Sequence, residues 1–383
     1  MTPSIVSSAA AFLDASHREL VPQVQAWVAE CLSPRAEPLA DDEARREART
    51  MLREIGAAGW LTAVERQDLR ALAIVRDAVA FGSPLADAVV ALQGLGGTPI
   101  VLAGTEAQRS RWIPEIVAGR AMSAFAMTEP EAGSDVASMR TTARRDGDAW
   151  ILDGEKHLIS NAGLADVYVV FAVTRVGAGS RGISAFLVPA DAPGLTFVGP
   201  QTMAAAHPLG RIRFDECRIP GDSLLGTLDA GFKLGMMTLD RLRPTVGAAA
   251  CGMAARALAE AANHAATRRQ FGQPLGEFQL VREKLGRMAT ELHAARLLVF
   301  HAAWTKDRGA DRITVESAMA KSYATEAAQH IVDEAVQIAG GAGVLLGHPV
   351  ERLYRAVRAL RIYEGATEVQ RLIIGGALLQ KGS

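Results

Sequence analysis

The spacing of apolar residues changes twice along this chain, and those two changes constrain the fold more than any other feature. Up to about residue 119, apolar positions recur at helical spacing, as in Leu20, Val24, Trp27 and Val28. Pro34, Pro38, Pro84 and Pro99 punctuate this stretch and mark helix ends or starts. The charge run from Asp41 to Arg49 reads as a solvated helix face. From Ala121 to about Gly231 the pattern is that of short strands. Asp146-Gly147 and Asp153-Gly154 read as hairpin turns. Around them lie strand-like stretches at Thr141–Arg144, Ala149–Leu152, Val167–Val173, Gly182–Pro189 and Arg211–Phe214. After Gly231, helical patterns return over Leu234–Arg269, Leu280–Lys306 and Thr314–Ala339. Gly340, Gly341 and Gly343 stop the third of these, and a last helix begins near Thr367. Four such helices suggest an antiparallel bundle. The expectation is a multidomain α and β chain: a helical domain over 1–119, a mostly antiparallel, barrel-like β domain over 120–231 and a helical bundle over 232–383.

Length and charge narrow the function. A chain of 383 residues is long for one core and suits two or three domains. Its 41 basic and 42 acidic residues leave no excess for a phosphate backbone, which argues against nucleic-acid binding. Cys31, Cys217 and Cys251 are far apart and form no CxxC, so neither a disulfide framework nor a metal site is expected. The first sixteen residues carry no Lys or Arg, unlike a secretory or transit signal. Apolar runs such as Val167–Val173 are too short to span a bilayer. A cytoplasmic protein with no membrane span is the resulting expectation.

Three segments carry residues suited to chemistry. In Ala126–Asp135 a strand runs into a loop of Pro, Gly and short polar side chains, which offers backbone N–H groups and hydroxyls to a polar ligand, or is simply a turn. Thr267–Gly272 places Arg268 and Arg269 beside Phe271 at a helix end. That suits a phosphate with a ring nearby, and it equally suits the helix dipole. The third segment is Gln337–Gly343, followed by Arg361–Gln370. Within it Glu364 lies between Tyr363 and Gly365, just before a helix. Apolar neighbours would desolvate its carboxyl and raise its pKa toward a base's working range; a plain acid near a helix N-terminus is the alternative. Thr367 and Glu368 also read as capping residues.

The order and spacing of these segments resemble the acyl-CoA dehydrogenase family over nearly the whole chain, most closely from Leu95 to Leu379. Ala126–Asp135 is similar to that family's first signature, and Ala320–Gln370 to its second. The resemblance implies an N-terminal helical domain, a central β domain and a C-terminal four-helix bundle, with FAD between sheet and bundle and reaching a neighbouring subunit. It implies a homotetramer, or a dimer. Phe125 to Ser134 would line the flavin, including Met127 and Gly133, with Thr128 on the ring edge. Leu158, Ile159 and Ser160 fill a further flavin segment, with the Ser160 hydroxyl near N5. Arg268, Phe271 and Gln279 match residues that hold the pyrophosphate and adenosine. Gln337, Gly340 and Gly341, with Ala366, Thr367 and Glu368, match the remaining FAD contacts. Ser134, Asp240, Arg243, Tyr363 and Gly365 match positions that touch the acyl-CoA.

By the same resemblance Glu364 is the catalytic base. Some members carry the base on a bundle helix instead, where this chain has Leu242, which takes no proton. The implied reaction is α,β-dehydrogenation of an acyl-CoA to the trans-2-enoyl-CoA. Glu364 takes the α proton, the β hydride goes to flavin N5, and an electron-transferring flavoprotein accepts the electrons. Leu158 stands where many members have Trp, Ala366 where Thr is usual, and Ala356 where Asp is usual. Leu158 motivates an alternative, a flavin oxidase or monooxygenase. Further alternatives are a dehydrogenase acting on a carrier-protein thioester and a non-catalytic acyl-CoA-binding module.

Overall fold

The computed structural model describes residues 4–379, so the outermost residues of the first and last expected domains lie outside the described part. It divides into two compact units, each built from separate stretches of chain. One spans Met1–Ala36, Asp68–Asp87 and Asp240–Ser383; the other spans Glu37–Gln67 and Ala88–Leu239.

The helices used below are α1 (Ala15–Cys31), α2 (Asp41–Ala57), α3 (Leu69–Gly82), α4 (Pro84–Ala103), α5 (Glu106–Val117), α6 (Gly231–Thr267), α7 (Gln279–Asp307), α8 (Thr314–Ala339), α9 (Pro349–Leu360) and α10 (Thr367–Leu379). The third helical expectation, Thr314–Ala339, coincides with α8, which ends at Gly340 with φ 61°. A four-helix reading of the C-terminal third missed α9. Its start is marked by Pro349 and by His348, whose ring accepts from the Val350 N–H at 3.3 Å. Its buried apolar residues Val350, Leu353, Val357 and Leu360 do recur at helical spacing, so periodicity was available to mark it.

The first unit is held by α7 and α8 together with α3. Ala295, Val299, Phe300 and Ala303 of α7, and Ala320, Ala324, Ala328 and Ile331 of α8, are all buried at the spacing of a helix stripe. The two most deeply buried charged pairs of this unit are Arg296 with Asp77 and Arg76 with Asp87. Arg296 donates to both oxygens of Asp77 at 2.8 and 2.7 Å. Arg76 does the same to Asp87 at 2.8 and 2.9 Å. Gly252 of α6 is dictated by this packing: any Cβ there would strike the Asp77 backbone carbonyl.

The second unit centres on an eight-stranded sheet. Its strands are β1 (Ser123–Ala126), β2 (Thr142–Asp146), β3 (Ala149–Ser160), β4 (Val167–Val173), β5 (Ile183–Pro189), β6 (Leu195–Pro200), β7 (Leu209–Pro220) and β8 (Leu224–Leu225). The order is β6-β7-β3-β2-β4-β5-β8, with β1 pairing in parallel with β4. The long ladders are antiparallel. Asp146-Gly147 is a hairpin turn, as its sequence indicates, with Asp146 opposite Ala149. Asp153-Gly154 is not a turn. It lies inside β3, where the register with β7 shifts between Leu152 and Gly154. Gly154 adopts φ 143°, and a Cβ there would meet Thr141, so the glycine serves a bulge rather than a reversal.

The apolar-run reading also needs correction at α4. Pro84–Ala103 is long and apolar enough to cross a membrane by length and composition, although 83% of its apolar window is buried in the fold. Asp87, Gln93 and Thr98 interrupt the run in sequence, and all three are buried. Gln93 is satisfied by the Ile116 and Ala121 carbonyls at 3.2 and 2.7 Å and by the Ser123 N–H at 2.8 Å.

Asp77→Ala would leave the Arg296 charge buried without its carboxylate. Chemical denaturation is expected to show a loss of about 3–5 kcal/mol.

Candidate active site

Glu364 sits in a turn between α9 and α10 of the first unit, in the left-handed region at φ 54°, and Gly365 follows at φ 96°. For a residue with a Cβ this conformation costs roughly 1–2 kcal/mol, so surrounding contacts must enforce it. They are visible. The Glu364 carbonyl accepts from Arg243 Nε at 3.0 Å. The Gly365 carbonyl accepts from Lys321 Nζ at 2.7 Å and from Gln370 Nε2 at 3.0 Å. The Thr367 N–H closes the turn onto the Arg361 carbonyl at 3.0 Å. At φ 96° position 365 favours glycine, and a Cβ there would also press on the Gln370 amide.

The carboxyl itself is left alone. Glu364 Oε2 is buried and has no hydrogen-bond partner among the described residues. Its backbone N–H is likewise taken by no carbonyl or side chain among them. Burial pushes the Glu364 carboxyl above its ordinary value, while the charges of Arg76, Lys321 and Arg243 pull it back. Two of these cations, both arginines, are held from behind. Arg243 donates to Asp240 Oδ1 at 2.6 Å, and Asp240 Oδ2 accepts from Thr314 at 2.7 Å. Arg76, bound to Asp87, also donates to Thr245 Oγ1 at 2.9 Å. The result is a carboxylate that is desolvated and unbonded yet held in a cationic field. Such a group can take a proton from a weak carbon acid.

In the second unit the Ala126–Asp135 segment leaves β1 and is tied down by Glu129. This carboxylate accepts from the Arg140 and Thr141 N–H groups at 2.6 and 2.9 Å and from Lys156 Nζ at 2.7 Å. Lys156 also donates to the Met127 carbonyl at 3.2 Å. Burial alone would raise the Glu129 carboxyl, but the Lys156 charge and these donors bring it below its ordinary value. Burial lowers Lys156 to about 8 against the pull of Glu129. With its backbone so fixed, the loop presents Thr128 and Ser134, whose hydroxyls are bonded to nothing else among the described residues. Leu158 is half exposed and, like Glu364, left-handed at φ 55°. Its N–H donates to Gln201 at 2.9 Å. The Ser160 hydroxyl is paired with His207 Nε2 at 2.7 Å. Burial lowers His207 to about 4, so its ring is neutral near pH 7.

Family models for the acyl-CoA dehydrogenase N-terminal, middle and C-terminal domains match residues 14–120, 124–217 and 229–379. The chain belongs to the acyl-CoA dehydrogenase family. It is 41% identical over 316 residues to the probable acyl-CoA dehydrogenase fadE25 of Mycobacterium bovis, covering 82% of this chain and 81% of that one. It is 40% identical over 336 residues to the human mitochondrial short-chain specific acyl-CoA dehydrogenase, covering 85% and 78%. The butyryl-CoA dehydrogenase of Megasphaera elsdenii superposes with a TM-score of 0.90 at 32% identity, covering 96% of this chain and 99% of that chain. Members of the family are FAD-dependent oxidoreductases that dehydrogenate acyl-CoA.

The acyl-CoA dehydrogenase chain has features that fit FAD. At Gly133, Gly340 and Gly341 a Cβ would meet nothing within 4 Å, so the backbone there is open to a ligand. Phe271 is 93% exposed and left-handed at φ 50°, at the tip of the Arg269–Pro274 hairpin. Arg268, Gln279 and Gln337 are exposed as well. Of seven described non-glycine residues with positive φ, three are Leu158, Phe271 and Glu364, so local strain gathers at positions singled out from sequence. The structure brings Asp240, Arg243, Glu364 and Gly365 into one hydrogen-bonded cluster. Tyr363 adjoins the base in the chain and is 37% exposed. Thr367 is buried at the start of α10, Ala366 is half-buried and Glu368 is exposed. Phe125 is half-buried with its ring 4.8 Å from Phe171. Met127 and Ile159 face inward instead, each within a core of the sheet unit, so they have only backbone to offer a ligand.

Sequence reasoning missed Arg76, Asp87, Lys321, Lys156 and His207. Lys321 lies within the second signature segment but was not singled out there; the other four lie outside the three segments, and what marks all five is burial, which local spacing does not show.

The raised carboxyl of Glu364 has a consequence for stability. Its folded-state pKa lies above the unfolded one, so the stability it contributes is complete below the unfolded value and is lost as pH rises through the folded one. Glu364→Gln is therefore expected to raise the melting temperature at neutral pH. The difference should vanish below about pH 4, the unfolded carboxyl's range, as thermal unfolding at the two pH values will show.

Proposed function

We propose that this enzyme dehydrogenates the α,β bond of an acyl-CoA thioester with FAD, and that Glu364 removes the α proton. The observation that carries this reading is the state of Glu364: a buried, unbonded carboxyl oxygen in an enforced left-handed turn. A carboxylate kept free of donors is wasted on structure, because burial without a partner costs stability. It suits a base whose partner is a substrate proton.

The chain's own groups then have distinct tasks. The Glu364 N–H, which the left-handed turn leaves without an acceptor, is suited to the thioester carbonyl, where charge develops as the α proton leaves. Arg243 and Lys321 hold the carbonyls on either side of the Glu364–Gly365 peptide and so fix that N–H together with the carboxylate. An acyl-CoA that displaces water would raise the Glu364 pKa further. FAD, when bound, supplies the acceptor for the β hydride. Thr128, Ser134 and the Leu158–Ser160 segment are the groups proposed to meet its ring. Arg268, Phe271 and Gln279, with Gln337, Gly340 and Gly341, would take its phosphates and adenosine. An electron-transferring flavoprotein is the proposed acceptor, and a tetramer or dimer the proposed assembly.

Glu364→Gln is expected to keep bound flavin and lose acyl-CoA-driven flavin bleaching. Bleaching at the wild-type rate would remove Glu364 from the role. In the wild type, the bleaching rate should fall on the acid side as Glu364 takes up a proton. The half-point should lie above about 4.3, the ordinary glutamate value, because burial raises this carboxyl. Stopped-flow rates across pH check it.

A further inference from the structure

Lys321 is fully buried in α8, and its ammonium makes one hydrogen bond, to the Gly365 carbonyl at 2.7 Å. It forms no ion pair among the described residues, and two of its three N–H donors are left without an acceptor. A buried ammonium so poorly compensated is costly, and an apolar side chain of the same length would pack there more cheaply. Stability does not explain a lysine at this position.

Its location does. The carbonyl it holds belongs to Gly365, the residue that lets the chain leave the strained Glu364 conformation. Gln370, itself fully buried, supplies a neutral donor to the same carbonyl at 3.0 Å, so Lys321 adds the charge. The charged groups facing Lys321 are Glu364 from the turn, Arg243 from α6, Glu326 from α8 itself and Glu368 from α10. Glu326 is already engaged by Arg361 at 2.8 Å, and Arg243 by Asp240, while Glu368 is exposed. The unbonded carboxyl of Glu364 is the one left to sense the ammonium.

We propose that Lys321 is a positioning residue for Glu364, its ammonium clamping the Gly365 carbonyl so that the left-handed turn is held and the neighbouring carboxylate stays ionised and aimed. The inference rests on Glu364 being the base. Burial lowers Lys321 to about 8, in keeping with an ammonium that is poorly compensated but still charged at neutral pH.

The test uses the FAD-loaded enzyme and the acyl-CoA that bleaches the wild-type flavin fastest. Lys321→Met is expected to melt at or above the wild-type temperature, yet to bleach roughly 10- to 100-fold more slowly, the scale of one lost charged hydrogen bond. Infrared difference spectra against the matching Glu364→Gln protein, recorded without substrate, isolate the Glu364 carboxyl. Its titration should move to higher pH in Lys321→Met, because a cation beside it is gone. An unchanged bleaching rate with an unchanged carboxyl titration overturns the proposal. So does a variant that is slow and less stable while the carboxyl titrates as in the wild type, since that is the mark of a structural lysine. If Lys321→Met does not fold, Lys321→Gln, which keeps a neutral donor, is read by the same measurements and must shift them in the same direction. Bleaching retained by Glu364→Gln would instead sink the base assignment, and the infrared shift would still report separately whether Lys321 acts on that carboxyl.

Discussion

A glutamate forced into the left-handed region is the constraint on which the catalytic half of this protein depends. The Glu364–Gly365 turn is not a conformation the chain would choose, and four donors from α6, α8 and α10 enforce it. They act on backbone carbonyls, not on the carboxyl. That division fixes where the side chain starts while leaving its oxygen unbonded. Were the carboxylate itself hydrogen-bonded, it would be a better anion and a poorer base.

The same economy of placement recurs in both units. Glu129 and Lys156 form a buried pair whose effect is to hold the backbone of a loop that presents hydroxyls outward. Arg76 and Asp87 form another, and Arg76 adds a charge to the field at Glu364. Buried ion pairs contribute little net stability against an apolar alternative. Two of the three buried pairs described here serve groups with proposed chemical tasks, and the third, Asp77 with Arg296, lies in the packing of α3 against α7.

Much of the architecture was legible because it follows from local rules. The helical stripe of α8 and the Asp146-Gly147 hairpin need only near neighbours to form, and their spacing is written in the chain. Asp153-Gly154 misled because a turn dipeptide and a bulge dipeptide have the same chemistry, and only the partner strand β7 decides between them. Helix α4 escaped the apolar-run reading because its polar residues look like interruptions until the Ile116 and Ala121 carbonyls are seen to receive Gln93.

By itself the sequence determined the succession of helical, strand and helical segments, and it marked Glu364 as the candidate base through its motif and its glycine neighbour. These are properties of residues close along the chain, where periodicity and turn chemistry act. Only tertiary structure decided that Arg243 and Lys321, 121 and 44 residues away from the carbonyls they hold, would converge on one turn. It also decided that the carboxyl would be buried without a donor. Desolvation and electrostatic fields depend on which distant side chains exclude water from a point in space, and no local pattern of residues encodes that.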